Sequence, residues 1–112
     1  MNVSYEGVGY LAATFPAGSC VAGQVCKLGV LGLSEKCNEG DAFCGVVEAV
    51  ENLRAAVQIE GFAQVSYTGT APTRGYAKLS SNGKGGVKVD SNGKEYLVAA
   101  INTDEATITI KL

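Results

Sequence analysis

Residues 55–69, read AAVQIEGFAQVSYTG, carry the clearest alternation of apolar and polar positions in the chain. Val57 and Ile59 alternate with Gln58 and Glu60, and beyond Gly61 the apolar set resumes as Ala63, Val65 and Tyr67 against Gln64 and Ser66. A period of two is that of extended chain with one buried face. The alternation can slip at Gly61, which predicts a bend or a bulge there, so the stretch is one long bent strand or two strands joined at that glycine. A second such run closes the chain: 96–101, a polar break over 102–105, then 106–112.

Shorter elements precede and separate these runs. Residues 24–30 and 33–37 predict two strands around a turn near Leu31-Gly32, Glu39-Gly40-Asp41 the next turn, and 42–47 the strand after it. Over 48–54 the positions Val47, Val50 and Leu53 or Arg54 have helix-like spacing, so the segment holds at most one short helical turn, or else a loop between strands. Pro72 and Gly75 bracket a turn ahead of a brief strand at 76–79. Ser81-Asn82-Gly83-Lys84 recurs as Ser91-Asn92-Gly93-Lys94. Asn-Gly favours the consecutive positive φ angles of a type I′ turn, so both copies predict hairpin turns, with Val87 and Val89 sharing one face of the strand between them.

Residues 1–22 are uneven. Val3 and Tyr5 alternate, then Gly7, Gly9 and Phe15-Pro16-Ala17-Gly18 break any sustained period. Residues 1–17 therefore form an extended N-terminal arm that packs on something else, or an edge strand, while 18–112 form a single β domain. Some ten short strands spaced by turns predict an all-β fold, a small antiparallel β-barrel or β-sandwich, whose closure or packing covers the strand edges.

The chain has 112 residues, 46% of them apolar and 18% charged. That length suits one domain, burying about 65% of its unfolded surface. The 15 glycines fit short strands joined by tight turns. With a net charge of −2 and a pI near 5.0, the chain lacks the basic footprint that phosphate-backbone binding needs. It contains no apolar run of membrane-spanning length and begins with no basic n-region ahead of an apolar core, which predicts a soluble, cytoplasmic protein.

Chemistry-bearing residue types are few. There is no histidine, which removes the usual general base, the commonest metal ligand and any Ser/His or Cys/His pair. Gly7-x-Gly9-x-x-Ala12 lacks the strand and helix of a dinucleotide site, and the 69–75 and 84–86 glycines do not have phosphate-loop spacing. Glu48 with Glu51, and Asp104 with Glu105, are candidate carboxylate pairs in turn-like segments, where solvated side chains are expected. Tyr67, Tyr76 and Tyr96 are expected at the core rim with hydroxyls reaching water. Cys20, Cys26, Cys37 and Cys44 lack the close knuckle spacing of zinc ligands, so reduced, mostly buried thiols are expected ahead of a disulfide or a metal site. Cys26 and Cys37 flank the first hairpin turn and are the pair expected to face each other. No catalytic residue, cofactor or metal follows from these residues, and elimination points to a protein that acts through its surface.

A family resemblance points the same way. The segments 23–30, Gly40-Asp41-Ala42-Phe43-x-Gly45-Val46, Val57-x-x-x-Gly61-x-Ala63-x-Val65-x-Tyr67-x-Gly69, and Tyr96-Leu97-Val98 with 107–112 resemble, in order, the capsid decoration or head-stabilising proteins of tailed bacteriophages. The resemblance spans about 18–112. It implies a non-enzymatic structural virion protein on the capsid exterior, assembled in a bacterial cytoplasm, with the major capsid protein as partner and a homotrimer as the usual oligomer. It also implies an arm that adds a strand to the capsid protein, for which Val3, Tyr5, Val8 and Tyr10 are the contact residues here. The competing expectation is a small β-domain module binding carbohydrate or a peptide through exposed tyrosines and loop carboxylates. A third is a thiol-based metal or redox role.

Overall fold

The computed structural model describes residues 10–112. Ten strands follow one another: β1 (Leu11–Pro16), β2 (Val25–Leu28), β3 (Ser34–Lys36), β4 (Gly45–Glu51), β5 (Arg54–Glu60), β6 (Phe62–Ser66), β7 (Gly75–Ser81), β8 (Val87–Val89), β9 (Lys94–Asn102) and β10 (Thr107–Lys111). They form two five-stranded sheets, β1-β5-β4-β2-β3 and β6-β10-β9-β7-β8, with every ladder antiparallel. The sheets pack in the manner of a sandwich around one shared core. Val25 and Val46 enter it from the first sheet, and Val65, Leu79, Val98, Ile108 and Ile110 from the second.

The two sheets repeat one topology. Counted from its own first strand, each has the order 1-5-4-2-3. In each, the residue just after the first strand makes a lone parallel bridge to the third, Ala17 to Ser34 and Tyr67 to Val87. The next residue continues the contact: Gly18 N–H donates to the Ser34 carbonyl at 2.9 Å and Thr68 N–H to the Val87 carbonyl at 3.1 Å. Each sheet thus curls until its outer strands touch at one point. Phe43, just before β4, and Tyr96, on the corresponding strand β9, stack with ring centroids 4.9 Å apart and planes at 9°.

Gly61 is the joint between the two units. The central stretch is two strands, β5 and β6, in different sheets, and Gly61 between them has φ +96°, a conformation that a side chain at Cβ would oppose. Gln58 braces the bend. Its side-chain Nε2 donates to the Glu60 carbonyl at 3.1 Å and the Phe62 carbonyl at 2.9 Å, and the residue is only 7% exposed. Leu112 N–H closes the joint from the other side, donating to the Gly61 carbonyl at 2.9 Å.

Alternation survives where one face is buried. In β10, Ile108 and Ile110 are buried between the partly exposed Thr107 and Thr109, and β6 follows the same rule. In β4, adjacent Val46 and Val47 are both buried. Val46 joins the shared core, whereas Val47 joins a second cluster with Cys26, Ala55 and Val57, covered by Phe15, Ala17 and Cys20. A strand with apolar contacts on both faces reads as a continuous apolar run.

Three expectations change. Residues 48–54 hold no helical turn: β4 runs to Glu51 and turns directly into β5. A bulge between Val47 and Ala49 inserts one residue, and it is this extra residue that gives Val47 and Val50 their helix-like spacing. The Ser-Asn-Gly-Lys copies also differ. The first joins β7 to its partner β8, through a loop in which the Asn82 carboxamide oxygen accepts from Lys84 N–H at 2.7 Å and Gly86 N–H at 3.0 Å. The second is no hairpin turn, because β8 and β9 lie on opposite sides of β7. Its glycine serves close approach instead: a Cβ on Gly93 would stand 2.4 Å from the Leu79 carbonyl oxygen. Finally, Tyr67 and Tyr96 are buried core residues rather than rim residues, and of these three tyrosines Tyr76 alone is exposed, at 69%.

Candidate interaction surface at β1 and the β4–β5 tip

Of the arm residues singled out from sequence, Val3, Tyr5 and Val8 lie outside the described residues. Tyr10 immediately precedes β1 and is 56% exposed. Its hydroxyl donates to the Glu48 carboxylate at the β4 bulge. That bond raises the Tyr10 pKa above its ordinary value, helped by some desolvation. Tyr10 is therefore held on the surface of the first sheet with much of its ring open to solvent.

From Tyr10 the chain runs straight into β1, which pairs with β5 from Leu11↔Glu60 to Pro16↔Arg54 with a register shift between Leu11 and Ala12. β1 is an outer strand, so among the described residues one side of its backbone carries no ladder. Unpaired strand edges are templates for another chain.

Beside the end of β1 stands the β4–β5 hairpin. Glu51 pairs with Arg54, leaving a two-residue turn in which Asn52 has φ 49° and Leu53 φ 63°. Consecutive positive φ angles are type I′ geometry, which matches strand twist and normally places glycine at the second position. Here that position is a leucine, 84% exposed. Left-handed backbone costs an L-residue roughly 1–2 kcal/mol, and exposure of the side chain offers no packing in return. The turn is tied back to the edge strand by Ala17 N–H, which donates to the Leu53 carbonyl at 2.9 Å. Two open depressions adjoin it. Thr14, Phe15, Pro16, Asn52, Leu53 and Arg54 line one, and Thr14, Ala49, Glu51, Asn52, Arg54 and Ala56 the other. An apolar knob flanked by hollows and by charges of both signs is a surface suited to a protein partner.

The tyrosines expected of a ligand site are dispersed differently. Tyr76 and Tyr96 border an open depression with Lys94, Glu95 and Lys111. The Tyr96 ring, however, is committed to the Phe43 stack, has the Lys94 ammonium 5.4 Å from its centroid, and directs its hydroxyl at the Phe43 carbonyl 3.4 Å away. Burial raises its pKa. The carboxylates Asp104 and Glu105 use their backbone N–H groups to bind the Asn102 side-chain oxygen at 3.0 and 3.1 Å, which makes 102–105 a self-capped loop.

All four cysteines are free. Cys26 and Cys37 do not face each other. The β2–β3 register sets Cys26 opposite Lys36, so Cys37 falls one residue further on and into the shared core, while Cys26 lies in the second cluster. Burial pushes the Cys37 thiol up to about 11. Beside Cys26 stands Cys44, whose backbone N–H donates to the Cys26 carbonyl at 2.9 Å; the influence of each thiol on the other raises the Cys26 pKa and lowers that of Cys44 to about 7. Among the described residues, no group of three or more Cys, Asp or Glu side chains is arranged to hold a metal ion.

Sequence reasoning passed over both Leu53 and the Cys26–Cys44 pair. Neither leaves a motif: an Asn-Leu turn lacks the glycine that marks type I′, and the cysteines meet only through the β2–β4 pairing. By fold the chain is an all-β protein of two packed antiparallel sheets. Comparison with protein-family models, with curated proteins and with solved structures finds no match in any of the three.

Proposed function

We propose that this chain is a non-enzymatic structural protein of a tailed-phage virion, binding the outer surface of the capsid and stabilising contacts between capsomers. The observation that carries the proposal is the edge strand β1, which among the described residues has no ladder on its outer side and stands beside the strained, exposed Leu53. It is joined by the ordered resemblance of 18–112 to capsid decoration proteins. In this mechanism the segment ahead of β1, with Val3, Tyr5, Val8 and Tyr10, adds a strand to the major capsid protein. Backbone bonds supply affinity there and alternate side chains supply register. The β4–β5 tip seats Leu53 against the same partner, which compensates the backbone strain on binding. A cyclic trimer repeats the contact around a local threefold position, so modest individual affinities combine.

Co-sedimentation with expanded, undecorated shells tests the proposal. Saturable binding is expected, weakened by deletion of residues 1–10 and by Leu53→Asp, with the folded core intact in both variants. Absence of saturable binding by the intact chain would remove the proposal. Undiminished binding after the deletion would remove the role assigned to the arm.

A further inference from the structure

The two Ser-Asn-Gly-Lys copies share a sequence and differ in their surroundings, and the difference bears on the chemistry of their asparagines. In an Asn-Gly pair the backbone nitrogen of the glycine can attack the asparagine Cγ, because glycine has no side chain to obstruct the approach. The nitrogen gives up its proton, a five-membered succinimide closes, and the side-chain nitrogen leaves as ammonia. Water then opens the ring at either carbonyl, giving aspartate, or isoaspartate with the main chain routed through the side-chain carbon. Asn82-Gly83 and Asn92-Gly93 are the two Asn-Gly pairs of the chain.

The first copy is locked. Asn82 is 7% exposed. Its carboxamide oxygen accepts from Lys84 N–H at 2.7 Å and Gly86 N–H at 3.0 Å, and the Gly83 N–H donates to the Ser81 hydroxyl at 3.1 Å. Gly83 is also packed against the β3–β4 connection, where a Cβ on it would stand 3.1 Å from the Glu39 nitrogen. Ring closure here requires these bonds to break and the loop to shift. The second copy is open. Asn92 is exposed, its carboxamide makes no hydrogen bond among the described residues, and it lies between β8 and β9, which do not pair. One bond restrains the nucleophile there, from Gly93 N–H to the Asp90 carbonyl at 2.8 Å.

We propose that Asn92 is a site of spontaneous deamidation and that the loop 82–86 shields Asn82 from the same reaction. The product adds a negative charge to a chain of net charge −2, close to the Asp90 carboxylate, whose Oδ1 accepts from Asn92 N–H at 2.9 Å. In the isoaspartate form the extra main-chain carbon falls where the backbone is tightly packed. A Cβ on Gly93 would stand 2.4 Å from the Leu79 carbonyl oxygen, and the next residue, Lys94, pairs with Leu79 in the β7–β9 ladder. The modification therefore loosens that end of the ladder.

Incubation of the folded chain in mildly alkaline buffer tests the assignment, read by tryptic mapping with mass spectrometry and by methyl transfer from an isoaspartyl methyltransferase. Cleavage after Lys78, Lys84, Lys88 and Lys94 puts the two copies in separate peptides, 79–84 and 89–94. With three hydrogen bonds to break against one, Asn82 should react roughly ten- to a hundredfold more slowly than Asn92. In urea the two rates should converge, since the motif residues are the same. Comparable rates in the folded chain, an intact 89–94 peptide, or a difference that survives in urea would each overturn the proposal. Deamidated chains, separated by their added charge on an anion exchanger, should contain isoaspartate and unfold at a lower urea concentration than the parent. An unchanged midpoint would remove the effect assigned to the ladder.

Discussion

Replacing Gln58 by methionine keeps the length of the side chain and deletes its amide, which isolates what that amide does at the joint between the sheets. The Gln58 Nε2 makes two bonds, 3.1 Å to the Glu60 carbonyl and 2.9 Å to the Phe62 carbonyl, at a site that is 7% exposed. A net hydrogen bond contributes about 0.5–1.5 kcal/mol, and a buried polar group left without its partner costs about 1–3 kcal/mol. The expected loss is therefore about 2–3 kcal/mol. With about 2.1 cal/mol/K of unfolding entropy per residue, 112 residues convert this to a fall in Tm of about 8–13 °C. Gln64 supplies the control: it is exposed, and its Nε2 bonds the Thr107 hydroxyl at 3.1 Å across the solvent side of β6 and β10. Gln64→Met should stay within about 0.5 kcal/mol. Urea denaturation of both variants measures the difference, and a Gln58→Met midpoint no lower than that of Gln64→Met would refute the bracing role.

Leu53→Gly should stabilise the chain by about 1 kcal/mol, because it relieves left-handed backbone at an exposed position; a lower urea midpoint would contradict the strain assigned to the turn. Asp41 accepts from Lys27 at 2.6 Å and from Asn38 N–H at 2.9 Å, and the Lys27 ammonium first, then the Asn38 bond, hold its pKa below the ordinary carboxylate value. A depressed carboxylate stabilises the fold above its unfolded pKa and loses that effect as pH falls through the folded one. Asp41→Asn should thus be less stable than the parent at neutral pH, with the gap closing in acid; a gap that widens in acid would reverse the sign. Cys44 should react with iodoacetamide half-maximally near pH 7, against about 8.5 for an ordinary thiol, and an ordinary profile would remove its activation by Cys26.

The strands were legible wherever one face meets the core and the other meets solvent. Ile108 and Ile110 between threonines, or Ala63 and Val65 between polar residues, alternate because the second sheet is buried on one side. Gly61 was legible as a joint for the same reason, although the alternation alone did not say that it passes between sheets. Legibility failed in β4. There, two buried faces erase the alternation, and the bulge after Val47 imitates a helical period. Pairing between strands distant in sequence was also hidden: the lone bridges that curl each sheet, the shared 1-5-4-2-3 order, and the meeting of Cys26 with Cys44 all depend on register. The candidate surface was half visible. An apolar N-terminal segment suggested an arm, but Leu53 acquires its meaning only from a φ angle and its exposure.

Cryo-electron microscopy of expanded phage shells, reconstructed with and without the added chain, tests the central claim most directly. Added density of this two-sheet shape is expected on the outer surface at the junctions between capsomers, with the segment ahead of β1 continuing as a strand on the major capsid protein. Identical reconstructions at saturating protein would contradict it.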